Sequence, residues 1–237
     1  ALLPLEYESP EGDWQDQDDA LQEAYLDSLR WRYQQEDFGS DPQGLLDWFN
    51  ALAVFHSKHD ELDELIRLAL IPGHPFAMEH ILHPWLCGMS SPGDRDALWS
   101  IHLVPLWIDD PHSNLRILLG WAGEANLSGL HASVAFPAAH LLAWTTASSQ
   151  RAQRQSAIRG LTRVLAACPQ VLPDFLPDFL AVNDAYVLEG VLIAVLGVML
   201  HGRAEEFCAH AARLVHESQF AEGNARWCHL TIRHYAR

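Results

Sequence analysis

PDFLPDFLAVNDAYVLEGVLIAVLGVMLHGR, residues Pro173 to Arg203, contains the longest apolar run of the chain, Ala185 to Leu200, interrupted only by Glu189, Gly190 and Gly197. Periodicity alone does not separate a buried strand from a buried helix in such a run. Its length exceeds that of an ordinary strand and selects a helix. Asn183 precedes it as the N-cap, its side-chain oxygen placed for an unpaired N–H of the first turn. A helix apolar on nearly every face lies inside a protein bundle or a membrane. Glu189, and a run shorter than the roughly 18 to 20 apolar residues of a spanning segment, select the bundle. The stretch therefore predicts a central core helix. Upstream, the tandem PDFL of Pro173–Leu180 reads as an irregular or single-turn helix that orients Phe175 and Phe179 beneath it, because Pro177 removes an N–H.

The rest of the chain reads as more helices. Residues 1–13 form an extended acidic lead-in, with two prolines and no periodicity. Apolar residues at helical spacing predict helices over 14–36, 42–57, 60–70, 76–87, 94–107, 110–123, 128–147, 151–167, 204–219 and 224–237. Gly and Pro clusters at 39–42, 71–75 and 90–93 separate some of them. No segment alternates with period two, so the fold is all-α. About twelve helices joined by short connections predict an irregular α-solenoid, or stacked helical hairpins of HEAT- or TPR-like kind, as one domain over 14–237. No fixed repeat period accompanies it.

Composition narrows the function. The 237 residues are 49% hydrophobic and 19% charged, with a formal net charge of −16. That balance argues against nucleic acid as a partner, since phosphate binding needs a basic face. The acidity is uneven: residues 1–40 hold eleven acids against two arginines, residues 151–237 eight acids against nine. Cys87, Cys168, Cys208 and Cys228 show no CxxC spacing and read as reduced core thiols of a cytoplasmic protein. No signal peptide or membrane span is visible. The chain opens on Ala1 without Met and ends at Arg237 inside an unfinished helical pattern, which reads as part of a larger protein.

Motifs of catalysis are missing. The chain has no GxSxG elbow, no GxxxxGK[ST] loop and no GxGxxG. His80 and His83, three apart beside Glu79, match neither HExxH nor HxxEH, and Pro84 follows; they read as surface or loop-packing histidines. The expectation is no enzyme, no metal and no cofactor. Asp94 reads as a helix cap, Asp96 as a charge favoured by the helix dipole, Arg95 as exposed or bridging, and Trp99 as inward. Glu189 either pairs with Arg213, Arg233 or Arg237, or sits on a helix face that reaches solvent.

Three segments, DRDALWS at 94–100, VNDAYVLEGVLIAVLG at 182–197 and NARWCHLTIRHYAR at 224–237, together resemble the helical C-terminal part of bacterial antiphage STAND NTPases of the AVAST-like kind. That family carries an RD-x-x-W element, matched by Asp94, Arg95, Asp96 and Trp99. It carries an NDxYVLER-like helix, matched by Asn183, Asp184, Tyr186 and Glu189, with Gly190 where Arg is usual. A later L-x-RDYAR element is matched by Arg233 and Tyr235, with His234 where Asp is usual. The resemblance implies a non-catalytic sensor module of a larger ATPase. Its partners would be a protein ligand, such as a phage protein, and the rest of the parent chain, with neither nucleic acid nor membrane. The alternative is a free-standing α-helical scaffold for protein–protein contacts.

Overall fold

A computed structural model describes residues 59–74, 76–201, 205–221 and 229–237. The chain divides into two units, residues 1–42 and 43–237, and every described residue belongs to the second. The expected lead-in at 1–13 and the helices expected at 14–36 and 42–57 lie outside the described residues, as do residues 224–228 of the last expected helix, with the expected core thiol Cys228 among them.

Among the described residues the fold is helical throughout, with no strand. In order come α1 (His59–Ala69), α2 (Leu82–Gly88), α3 (Pro92–Arg95) and a π turn (Asp96–Ser100). Then follow α4 (Ile101–Ile108), α5 (Asn114–Glu124), α6 (Ala132–Thr145) and α7 (Arg151–Ala167). A 3-10 turn (Pro169–Val171) leads into α8 (Leu172–Leu180), and α9 (Ala185–Leu200), α10 (Glu205–Phe220) and α11 (Leu230–Tyr235) complete the order. None of these helices is long and apolar enough to cross a membrane.

The run that predicts a core helix is α9, with the expected bounds. It packs against α6, α7, α8, α10 and α11, and Val187, Leu188, Val191, Leu192, Ala194, Val195 and Val198 are buried in those contacts. Each such side chain contributes roughly 1.5–3 kcal/mol on leaving water. Two glycines set how closely its neighbours approach. A Cβ on Gly190 would lie 2.6 Å from the Thr146 Cβ, and one on Gly197 2.6 Å from the Thr162 Cγ2.

Buried polar groups lock neighbouring helices at their ends. Asp63 on α1 accepts from the backbone N–H groups of Asn114 (2.8 Å) and Leu115 (3.2 Å), capping α5 from a distance. Arg163 on α7 donates to the carbonyls of Ala122 and Ala125 at the other end of α5. Orphan groups at both ends of α5 thus find partners on α1 and α7.

Several local expectations are corrected. Residues 76–81 form turns, because the Met78 N–H donates to Ala69 O at the end of α1 and leaves the helical ladder; α2 starts only at Leu82. The next helix begins at Pro92, with Ser91 as N-cap and Asp94 as its reciprocal partner. Helix α5 starts at Asn114, where the Ser113 hydroxyl accepts the Arg116 N–H. The N-cap of α9 is Asp184, not Asn183. The PDFL tandem is a continuous helix of 9 residues, α8, with Pro173 in its first turn, where a missing N–H is harmless. Cys168 is buried, but Cys87 is exposed and Cys208 only half-buried.

Candidate functional site

Two arrangements stand out: a buried polar staple built from the motif residues, and an open groove between α7 and α9.

The staple starts from Arg95, whose side chain is 0% exposed. Its Nε donates to Leu86 O (3.1 Å), Nη1 to Asp184 Oδ2 (2.9 Å) and Nη2 to Asn183 Oδ1 (2.6 Å). The guanidinium also lies 5.2 Å from the centre of the Trp144 ring. The carboxylate opposite is equally engaged. Asp184 Oδ1 accepts from the N–H groups of Tyr186 and Val187, so one side chain both pairs with Arg95 and caps α9. Asn183 returns a bond from Nδ2 to Ser90 O. Charges this deeply buried persist only when paired and hydrogen-bonded, and here each is.

Local geometry explains how Arg95 gets inside. The π turn keeps Arg95 and Trp99 on one inward face while Asp96, Ala97 and Leu98 stay exposed. Trp99 Nε1 donates to Trp144 O (3.1 Å). Asp94 sits outside, accepting from the hydroxyls of Ser91 and Ser90 and the Ser91 N–H. These bonds, the Ser91 hydroxyl foremost, hold its carboxyl below the ordinary range.

Next to the staple lies a histidine network. Trp144 Nε1 donates to His83 Nδ1 (3.1 Å), which places the proton of neutral His83 on Nε2, facing Cys87 Sγ at 3.4 Å. Burial, then the neighbouring His140, pushes His83 down to about 4, with Asp178 opposing. Desolvation pushes the Cys87 thiol up to about 11, so a thiol and not a thiolate meets the ring. His140, enclosed by Phe136, Phe175 and Phe179, faces Phe136 O through Nδ1 (3.0 Å) and Asp178 Oδ2 through Nε2 (3.0 Å). The hydrogen bond from His140, ahead of the nearby positive charge, holds the Asp178 carboxyl below its usual range.

His83, His140 and Asp178 bring three ligand atoms within 4.8 Å of one another. They fit a metal poorly. Trp144 N–H occupies the one free lone pair of His83, and its other nitrogen carries a proton; a ligating imidazole needs a lone pair for the ion. The cluster is better described as two separate hydrogen-bonded sets, Trp144–His83 between α6 and α2 and His140–Asp178 between α6 and α8, joined by the edge contact of the two imidazole rings. The sequence pairing of His80 with His83 is not kept: His80 is exposed in the turn before α2.

The structure thus brings Arg95, Trp99 and Asp184 to one interior point, with Asn183 at its exposed edge and Asp94 stabilising the helix start beside it. Asp96 stays exposed in the π turn. Arg233 and Tyr235 lie on α11, which packs on α9 and has no part in the staple. Tyr186 (62% exposed) and Glu189 point elsewhere, into the second arrangement.

That second arrangement is a groove of about 410 Å³. Arg151, Arg154, Ile158 and Arg159 form the α7 wall; Tyr186, Glu189 and Ile193 form the α9 wall, with Gly190 between. The spacing on each helix is that of a single face. Glu189 makes no ion pair among the described residues, so of its two expected settings the face that reaches solvent holds. The arginines escaped the sequence reading because each looked like an ordinary exposed helix residue. Their clustering depends on α7 lying beside α9. No known protein family, no curated protein and no solved structure matches this chain.

Proposed function

We propose that this chain is a non-catalytic recognition module, an irregular α-solenoid that binds a protein ligand along the α7/α9 groove. Support for the stacked arrangement comes from alternate helices meeting: α5 with α7, α7 with α9, α9 with α11 in one row, and α6 with α8, α8 with α10 in another. Residues in contact advance together along α7 and α9, Thr162 meeting Gly197 further on than the groove residues, as expected of helices running the same way. Such rows leave long grooves between neighbouring helices.

The observation that carries the reading is the groove itself: open, and lined by two isoleucines, a tyrosine, a glutamate and several arginines. Tyr and Arg are enriched where proteins bind proteins. The resemblance to STAND NTPase sensor regions supports the same reading, and it implies a module of a larger ATPase that responds to a viral protein. On this reading Arg95, Asp184 and Trp99 hold the frame rigid, while contact with the ligand falls to residues outside those motifs.

The test is capture of purified phage proteins, one at a time, by the immobilised chain. The expected result is one retained protein, lost with Ile193→Asp at an unchanged melting temperature. Equal retention by that variant would remove the groove from the reading, and no retention of any phage protein would remove the antiviral ligand.

A further inference from the structure

We propose that the α7/α9 groove is selective for a short peptide segment that sets one or two carboxylates beside an apolar side chain. The inference rests on the recognition reading and adds the chemistry of its ligand. Arg151 and Arg154 line the groove opposite Glu189, while the Arg159 guanidinium lies over Gly123 of α5, in a chain whose formal charge is −16.

The electrostatics of α7 make this cluster unusual. Arg151 and Arg154 occupy the first turn, which holds no acid, although the helix dipole favours negative charge there. Arg151 has no partner among the described residues. Arg154 donates Nη1 to Ser148 O (2.9 Å), which fixes its guanidinium and leaves further N–H groups available. The first backbone N–H groups of α7 are already engaged by Gln150 Oε1. An anion is therefore held by guanidinium groups and not by the helix end. Local rules are broken here without an internal compensation, as is common where a ligand completes the balance.

Competing ligands fit less well. A nucleic acid would meet a few arginines on an otherwise repelling molecule, far short of the extended basic face that phosphate chains need. Free phosphate or another small anion would leave the half-buried Ile158 and Ile193 side chains of the lining unused. A highly acidic protein would be repelled at long range. One or two carboxylates next to a leucine- or phenylalanine-like side chain use both features of the groove. Arginine also suits them geometrically, since its fork matches a carboxylate with paired hydrogen bonds.

The experiment is selection of a randomised twelve-residue display library on the full chain, in parallel on Arg151→Glu. That substitution is safe for folding because an acid at the first helical position is favoured by the dipole. Expected winners on the wild type carry Asp or Glu next to an apolar residue. A synthetic winner should shift the methyl resonances of Ile158 and Ile193, and it should bind the variant about tenfold more weakly, attraction having become repulsion. Winners without acids, equal affinity for Arg151→Glu, or unmoved Ile158 and Ile193 methyls would each overturn the proposal. If phage-protein capture still depends on Ile193 in that event, the recognition reading stands and only the ligand chemistry fails.

Discussion

Replacing Asp184 with Ala should destabilise the protein far more than replacing Arg95 with Met, although the two residues form one ion pair. The asymmetry follows from what each substitution leaves behind. Both side chains are essentially without solvent, at 0% and 4% exposure. Without Asp184 the guanidinium remains buried, keeping Leu86 O, Asn183 Oδ1 and the Trp144 face but losing its counter-charge. Stranding one member of a buried pair costs about 3–5 kcal/mol. The same substitution uncaps α9, a further loss of about 1 kcal/mol. The remaining contacts of Arg95 offset part of the sum, which gives about 4 kcal/mol. Arg95→Met removes the charge but keeps an apolar stem in the cavity, while Asp184 still accepts two backbone N–H groups. Its cost should be about 2 kcal/mol, since hydrogen bonds to charged groups are worth about 1.5–3 kcal/mol each and the carboxylate keeps most of its own. In thermal scans these correspond to losses of roughly 8–16 °C and 4–8 °C. Urea unfolding of both single variants and the double variant, followed by circular dichroism, gives the cycle. The double variant should be more stable than the sum of the singles predicts by at least about 1 kcal/mol. Asp184→Ala no worse than Arg95→Met, or additivity within about 0.5 kcal/mol, would refute the staple.

Acid should act first through His83. Its folded value is about 4, against about 6.5 when unfolded, so within that window the unfolded chain binds the extra proton and stability falls as pH drops from about 6.5 towards 4. The loss amounts to about 3 kcal/mol; it should vanish in His83→Gln, whose amide oxygen can still accept the Trp144 N–H, and equal pH profiles for the two proteins would rule this out. The depressed Asp178 carboxyl acts lower, its contribution being complete above the usual carboxylate value and lost only as pH falls through its folded one. Gly190→Ala should cost about 2 kcal/mol, because the new Cβ meets the Thr146 Cβ, an atom that no rotamer change can move. Gly120→Ala, inside α5 with nothing within 4 Å, should instead gain about 0.5–1 kcal/mol, and melting curves in the reverse order would contradict the packing described for α9.

What the sequence disclosed depended on the range of the physics involved. Helices α7 and α9 were legible to the residue, because apolar content and helical spacing are local properties of Arg151–Ala167 and Ala185–Leu200. Residues 76–81 were misread because the deciding bond, Met78 N–H to Ala69 O, reaches back across a turn that spacing does not see. Asn183 and Asp184 were equally good caps by local chemistry. Arg95, distant in the chain, separates them: it takes Asn183 through the amide oxygen, and Asp184 is left with a second carboxylate oxygen for the helix end. His83 reads from spacing as a surface or loop-packing residue for the same reason, since its companions Trp144, His140 and Asp178 are on α6 and α8.

The RD-x-x-W and ND-x-Y segments are a different case, because the resemblance singled out both sides of one contact without pairing them. In the structure they are two halves of a single staple, joined by Arg95 and closed over by Trp99 and Trp144. Residues so completely engaged in one another have no valence left for a ligand, so the most recognisable positions are the poorest candidates for binding. A recognition surface needs the opposite properties: exposure, unused hydrogen-bonding groups and tolerance of change. Arg151 and Tyr186 have the exposed groups, and the half-buried Arg154, Ile158 and Ile193 line the groove beside them. Gly197 lets α9 approach Thr162 on α7, and Gly190 lets it approach Thr146 at the end of α6. The staple and the close glycine contacts thus fix the frame that carries the groove, and on the proposed reading substitutions along its walls alter what is bound without disturbing the interior that positions them.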